Sequence, residues 1–373
     1  MLHIDLPSRI EIEKLAQYRG APAVSIYLHT TPTTQDAQAD RIELKNLLKA
    51  AAAQLAAAGT DKHAIRSVEA AVESIIDDDA FWAVQANSLA IFATGERVQT
   101  FRLPNKLVNV VEVSDRFHLK PLLRSVTFPH HAYVLAISVG AVRLVEVSAD
   151  LPPHVVSVPG LPRDFGQALG RRSHVVKDGH LGSGESSSEH ATLTRYARTV
   201  DQALRATLKG EHAPLIVAAT EPLASIFRNA SSYPHVAAQA IGGSADDTPD
   251  HVLAAGARKV MDEIYASDVA QLRELFAARE AQGRATTDIV QAARAATFGA
   301  VDTLMVDMDT VISGRVSDDD GAVTFDDKPD GANYGVVDEV ARRVLLAGGR
   351  VVSARRADLP RDADLAALLR YAI

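Results

Sequence analysis

Along the chain, apolar positions alternate between a three-to-four-residue spacing and short unbroken or alternating runs, so helices and strands are expected to follow one another. Ser8 and Glu11 form a capping box ahead of a short helix carrying Ile10, Ile12 and Leu15, closed by Gly20 and Pro22. Val24–Leu28 predicts a strand, and a Thr-, Pro- and Gln-rich loop then runs to Gln38. Asp40 with Glu43 reads as a second capping box, opening a helix with Ile42, Leu44, Leu47, Leu48 and Leu55 on its face. Gly59 ends that helix, and Thr60 is the expected cap of the next, whose stripe is Ile65, Val68, Val72, Ile75 and Ile76. Strands are expected over 88–94, 98–103 and 108–113.

Two β-branched runs, Ala132–Val139 and Val142–Val147, joined by Gly140-Ala141, predict a hairpin. Leu151 to Glu189 then shows no periodicity, a length that marks a functional or disordered segment. A helix over 189–209 with Ser188 as cap, a strand over 215–219 and a helix behind Thr220 and Pro222 complete this block. Thr248-Pro249-Asp250 starts a long helix to about Arg279. A helix over 288–298, strands over 303–306 and 310–313, an acidic loop from Asp318 to Gly335, a helix over 336–346, a strand over 350–354 and a closing helix over 365–371 are expected after it. The fold class is therefore α/β, in three domains: 1–125, 126–247 and 248–373.

Composition narrows the chemistry. There is no cysteine, which removes disulfides, thiolate metal sites and cysteine nucleophiles and suits a reducing, cytoplasmic setting. The first residues lack the pattern of a secretion signal, and no run of about 18 apolar residues suggests a membrane span. The net charge of −8 argues against a generally basic nucleic-acid binder. Asp307-Met308-Asp309 behind an apolar strand resembles the phosphatase motif of the haloacid dehalogenase group, but too little chain follows for that fold; solvent-facing acids at a strand end are the plainer reading. His130-His131 reads as solvated surface rather than a zinc site. Gly179–Gly184 lacks the Lys-Ser/Thr of a P-loop, and no Gly-x-Ser-x-Gly is present. No catalytic residue, metal or cofactor is assigned.

A local charge pattern remains. Between Arg163 and Lys209 eight basic residues face five acidic ones, a surplus of +3 in an acidic chain. Arg195, Arg198, Arg205 and Lys209 follow helical steps of three, seven and four. A Gly-rich basic loop feeding a basic helix suits phosphate contacts, and Arg171, Arg172, His174, Lys177, Gly182, Gly184, Arg195 and Arg198 are the candidate RNA-contact residues.

Pro7-Ser8 with its helix, Val24-Ser25-Ile26-Tyr27-Leu28, Arg41-Ile42-Glu43-Leu44-Lys45-Asn46-Leu47-Leu48, Ser114-Asp115-Arg116-Phe117-His118-Leu119-Lys120-Pro121-Leu122 and Leu368-Leu369-Arg370-Tyr371 occur in an order that resembles the bacterial relatives of the archaeo-eukaryotic peptide-chain release factors and Pelota. The resemblance implies a divergent N-terminal domain, a central ribonuclease-H-like domain and a C-terminal α/β/α domain like the ribosomal proteins that bind kinked RNA. It also implies work in the ribosomal A site, with a translational GTPase as partner in several members. Release factors hydrolyse the peptidyl ester through a Gly-Gly-Gln loop. Here the matching place reads Gly182-Ser183-Gly184-Glu185, and Gly242-Gly243 is followed by Ser244, so no Gln is supplied. A carboxylate at Glu185 would be repelled by an RNA-lined site. The expectation is a ribosome-associated factor without that hydrolysis, in rescue, protection or hibernation; the alternatives are a protein-interaction scaffold on the same fold, or a tRNA-ester or RNA hydrolase using other residues.

Overall fold

A computed structural model describes residues 3–20, 22–32, 37–127, 131–148, 151–170, 186–246, 248–307, 311–326 and 335–372. The first segment holds α1 (Arg9–Gln17), β1 (Ala23–His29), α2 (Ala37–Ala57), α3 (Lys62–Ile76), α4 (Asp79–Trp82), β2 (Ser88–Ala93), β3 (Val98–Leu103), β4 (Val110–Ser114) and α5 (Lys120–Thr127). The central one holds β5 (His131–Ile137), β6 (Val142–Ser148), β7 (His154–Val156), α6 (Phe165–Ala168), α7 (Ser186–Thr207), β8 (Leu215–Ala218), α8 (Leu223–Ala230) and β9 (Val236–Ile241). The last holds α9 (Asp250–Glu280), β10 (Ala285–Thr286), α10 (Ile289–Thr297), β11 (Val301–Asp307), β12 (Gly314–Val316), β13 (Val323–Phe325), α11 (Val336–Leu346), β14 (Arg350–Ala354) and β15 (Leu365–Leu369). The α/β class holds. The chain forms two compact units: residues 129–266 make one, and residues 2–128 together with 267–373 make the other.

In the larger unit, antiparallel strands in the order β3-β2-β1-β4 form a sheet covered on both faces. Strand alternation explains the two cores. Val24, Ile26 and Leu28 of β1 point to the α2 and α3 side, among Leu44, Leu48, Val68 and Val72. Ala23 and Tyr27 point the other way, into a core that also contains Val337, Val344 and Leu369 from the last segment. The α1 capping box forms as expected: Ser8 and Glu11 exchange side chain-to-backbone hydrogen bonds. The second one does not. Helix α2 already starts at Ala37, and Asp40 in its first turn turns inward to accept from the Thr31 N–H at 2.8 Å. Asp61 rather than Thr60 caps α3, because its carboxylate reaches the His63 and Ala64 amides.

A second sheet in this unit runs β10-β15-β11-β14, with β11 and β14 parallel and the other pairs antiparallel. The expected closing helix is thus a strand: all five residues of β15 are buried between β10 and β11. Residues 311–313 are irregular and a hairpin starts at Gly314, with β13 inside the expected acidic loop. Asp307 ends β11 buried, not facing solvent. Around Glu339, only 3% exposed, converge Arg19 (3.1 Å), Arg342 and Arg343 (2.8 Å each) and Arg116. Burial alone would raise this carboxyl; the arginines outweigh it and hold its pKa at about 2.

The central unit is built on a mixed sheet in the order β7-β6-β5-β8-β9, parallel across β5-β8-β9 and antiparallel across β5-β6-β7. Tyr133, Leu135 and Ile137 of β5 face α7 and α8. Ala132, Val134 and Ala136 face the early part of α9, through Leu253, Ala254 and Ala257. His131 is a buried residue of β5 rather than solvated loop, since the strand starts one residue earlier than the apolar run suggests.

Candidate nucleic-acid interface

Helix α7 lays Leu193, Tyr196, Ala197, Val200 and Leu204 into the central core, a three-to-four-residue spacing that fixes one face inward. Tyr196 locks the rotation further, its hydroxyl donating to the Ser138 carbonyl oxygen at 2.6 Å. Asp201 also turns inward. Its carboxylate accepts from Ser231 Oγ (3.0 Å), the Ser232 amide (2.8 Å), Ser232 Oγ (2.9 Å) and Arg205 Nη2 (3.1 Å). Burial pulls its pKa upward, but the Ser232, Ser231 and Arg205 hydrogen bonds prevail and hold it below the usual carboxylate range.

With these groups inside, the opposite face is cationic. At about 100° per residue, Arg195, Arg198 and Arg205 fall within an arc of roughly 80°. Arg195 and Arg198 are exposed, and neither forms an ion pair among the described residues. Arg205 is 63% exposed and shares its charge with Asp201. Lys209 lies beyond the end of α7, exposed, rather than on the helix. Arg171, Arg172, His174, Lys177, Gly182 and Gly184 lie outside the described residues, as does Glu185. Sequence counting enters Asp201 as a charge opposing the arginines; the structure turns it inward, and the paired serines at 231 and 232 are the only sequence hint of the partners that do so.

The Gly242-Gly243-Ser244 stretch is a folded turn leading to α9. Gly243 takes a φ of +114°, and Ser244 donates to Asp246 Oδ2 at 3.3 Å. Asp246 also accepts from Ser138 Oγ. A Cβ on Gly140 of the β5–β6 turn would stand 2.7 Å from Asp246 Oδ1, so a side chain there would have to displace the Asp246 carboxylate. Among the described residues, no group of three or more His, Asp or Glu could hold a metal ion. No helix there is long and apolar enough to cross a membrane.

Residues 129–267 match the family described as bacterial archaeo-eukaryotic release factor family 11. No curated protein sequence matches the chain. Among solved structures, the chain is similar to S. cerevisiae Dom34, a translation termination-like factor involved in RNA quality control pathways and interacting with Hbs1, at 12% identity over 77% of this chain and 80% of that one, with a TM-score of 0.42. A model of ribosome-bound archaeal Pelota and ABCE1 matches at 16% identity over 74% and 73%, with a TM-score of 0.40. Pelota from Archaeoglobus fulgidus matches at 14% identity over 99% and 94%, with a TM-score of 0.32.

Proposed function

We propose, from a central segment that matches the bacterial archaeo-eukaryotic release factor family, that the protein is a member of the wider release-factor and Pelota superfamily and a ribosome-associated, release-factor-like factor without Gly-Gly-Gln hydrolysis. The observation that supports this reading best is the outward face of α7, where Arg195 and Arg198 stand exposed with no counter-charge among the described residues. Guanidinium groups on a helix anchored by a buried face are preorganised for phosphate oxygens, and the displaced counterions make such binding salt-dependent. The sequence ahead of α7 carries further basic residues, Arg171, Arg172 and Lys177. The absent Gln and the carboxylate at Glu185 argue against water positioning at a peptidyl ester. A role in rescue, protection or hibernation, a translational GTPase as partner, and domain boundaries near 125 and 247 belong to the same proposal.

Co-sedimentation with ribosomes across a salt series tests it. The expected result is co-pelleting at low salt that falls steeply as salt rises. Failure to pellet at low salt removes the proposal.

A further inference from the structure

Past the C-terminal end of α7, the central unit opens into a cavity of about 340 Å³. Its lining includes Leu204, Leu208, His212, Tyr233 and His235. The three rings stack edge to face: His235 lies 5.5 Å from Tyr233 at 77° and 5.5 Å from His212 at 63°. Tyr233 is pinned by its hydroxyl, which donates to the Ala213 carbonyl oxygen at 2.6 Å. Ring edges and leucine side chains lining one cavity suit a flat heteroaromatic ring.

The charges select the rest of the ligand. Asp201, at one margin, is already engaged by two serines and Arg205. Glu211 also lines the cavity, and burial pushes its carboxyl upward against the pull of His212. Lys209 at the cavity forms no ion pair among the described residues, and the His212 and His235 side chains have no hydrogen-bond partner there. The cavity therefore offers a lysine in no ion pair among the described residues, and ring nitrogens free to bond.

We propose that this cavity binds a nucleoside monophosphate group, free or as one nucleotide of an RNA strand, with the base along the His212–Tyr233–His235 edge and the phosphate at Lys209. The proposal stands whether or not the chain meets the ribosome. Calorimetric titration of the full chain with AMP and UMP, beside adenosine and inorganic phosphate alone, tests it. Both nucleotides should saturate and bind at least about ten-fold tighter than either fragment, with Lys209→Gln and His235→Ala each weakening them about ten-fold. Both substitutions fall at exposed positions, so circular dichroism should be unchanged; ring-proton NMR shifts of His212 and His235 on titration give a second readout. No saturable binding at millimolar nucleotide, phosphate binding as tightly as nucleotide, or affinity untouched by both substitutions would overturn the proposal. A short single-stranded RNA that binds more tightly than AMP and needs Lys209 points to an RNA source; AMP binding without RNA binding points to the free nucleotide.

Discussion

Arg19, Arg116, Arg342 and Arg343 all turn toward Glu339, whereas Arg195 and Arg198 on α7 turn to solvent with no acid beside them. Both sets come from one side-chain type in one acidic chain. In the first, four guanidinium groups crowd a carboxylate that is only 3% exposed; Arg342 and Arg343 belong to the same helix, and Arg19 and Arg116 tie the first segment to it. In the second, the local acid that could have neutralised the helix face, Asp201, is drawn inward by serines and spares Arg195 and Arg198. An arginine count thus says little about binding. What matters is which arginines the fold leaves without a carboxylate.

Removing Glu339 should break the comparison from its structural side. Glu339→Ala leaves four crowded arginines without their shared counter-charge and is expected to cost about 3–5 kcal/mol, read by denaturant unfolding. Acid should act on the same group. Because its folded pKa of about 2 lies below its ordinary 4.5, its contribution is complete above pH 4.5 and is lost as pH falls toward 2. Thermal melts across that window should drop more steeply for the native chain than for Glu339→Gln. The α7 arginines should behave in the opposite sense. Arg195→Glu with Arg198→Glu should leave the melting temperature nearly unchanged and lower the magnitude of the salt slope of ribosome association by about two, one per lost phosphate contact. A shifted melting temperature with intact association would reverse the assignment. Arg205 sits between the two sets, so Arg205→Ala should cost only about 0.3–0.5 kcal/mol of stability, by chemical denaturation, since the guanidinium is 63% exposed and the buried Asp201 keeps its serines.

Elements fixed by local rules were readable in the sequence. The Ser8–Glu11 box, the β5–β6 hairpin and the core stripe of α3 rest on neighbours within a few residues, and each formed. Elements decided at long range were not. Leu365–Leu369 is rich in leucine and alanine, good helix formers, yet its place between β10 and β11 makes it a strand. A strand buried on both faces has no alternation to betray it. Asp40 fits a capping pattern, but it accepts instead from the amide of Thr31, nine residues earlier. At the candidate interface, the helix and the arginines at 195 and 198 were legible, while the inward turn of Asp201 depends on serines thirty residues away. The cavity beside Lys209 was invisible, because His212 and His235 meet only once β8 and β9 pair.

Because Ile12, Leu15 and Phe117 share a core with Val337, Val344 and Leu369, the first segment cannot bury that surface when it is made. Roughly two hundred residues separate Phe117 from Val337, and at about 5–20 residues per second their synthesis takes on the order of ten to forty seconds. Through that interval the half-built protein carries an uncovered greasy flank, a ready target for aggregation or for a holding chaperone. Its yield in the cell should therefore be limited by traffic during manufacture rather than by the strength of the finished fold.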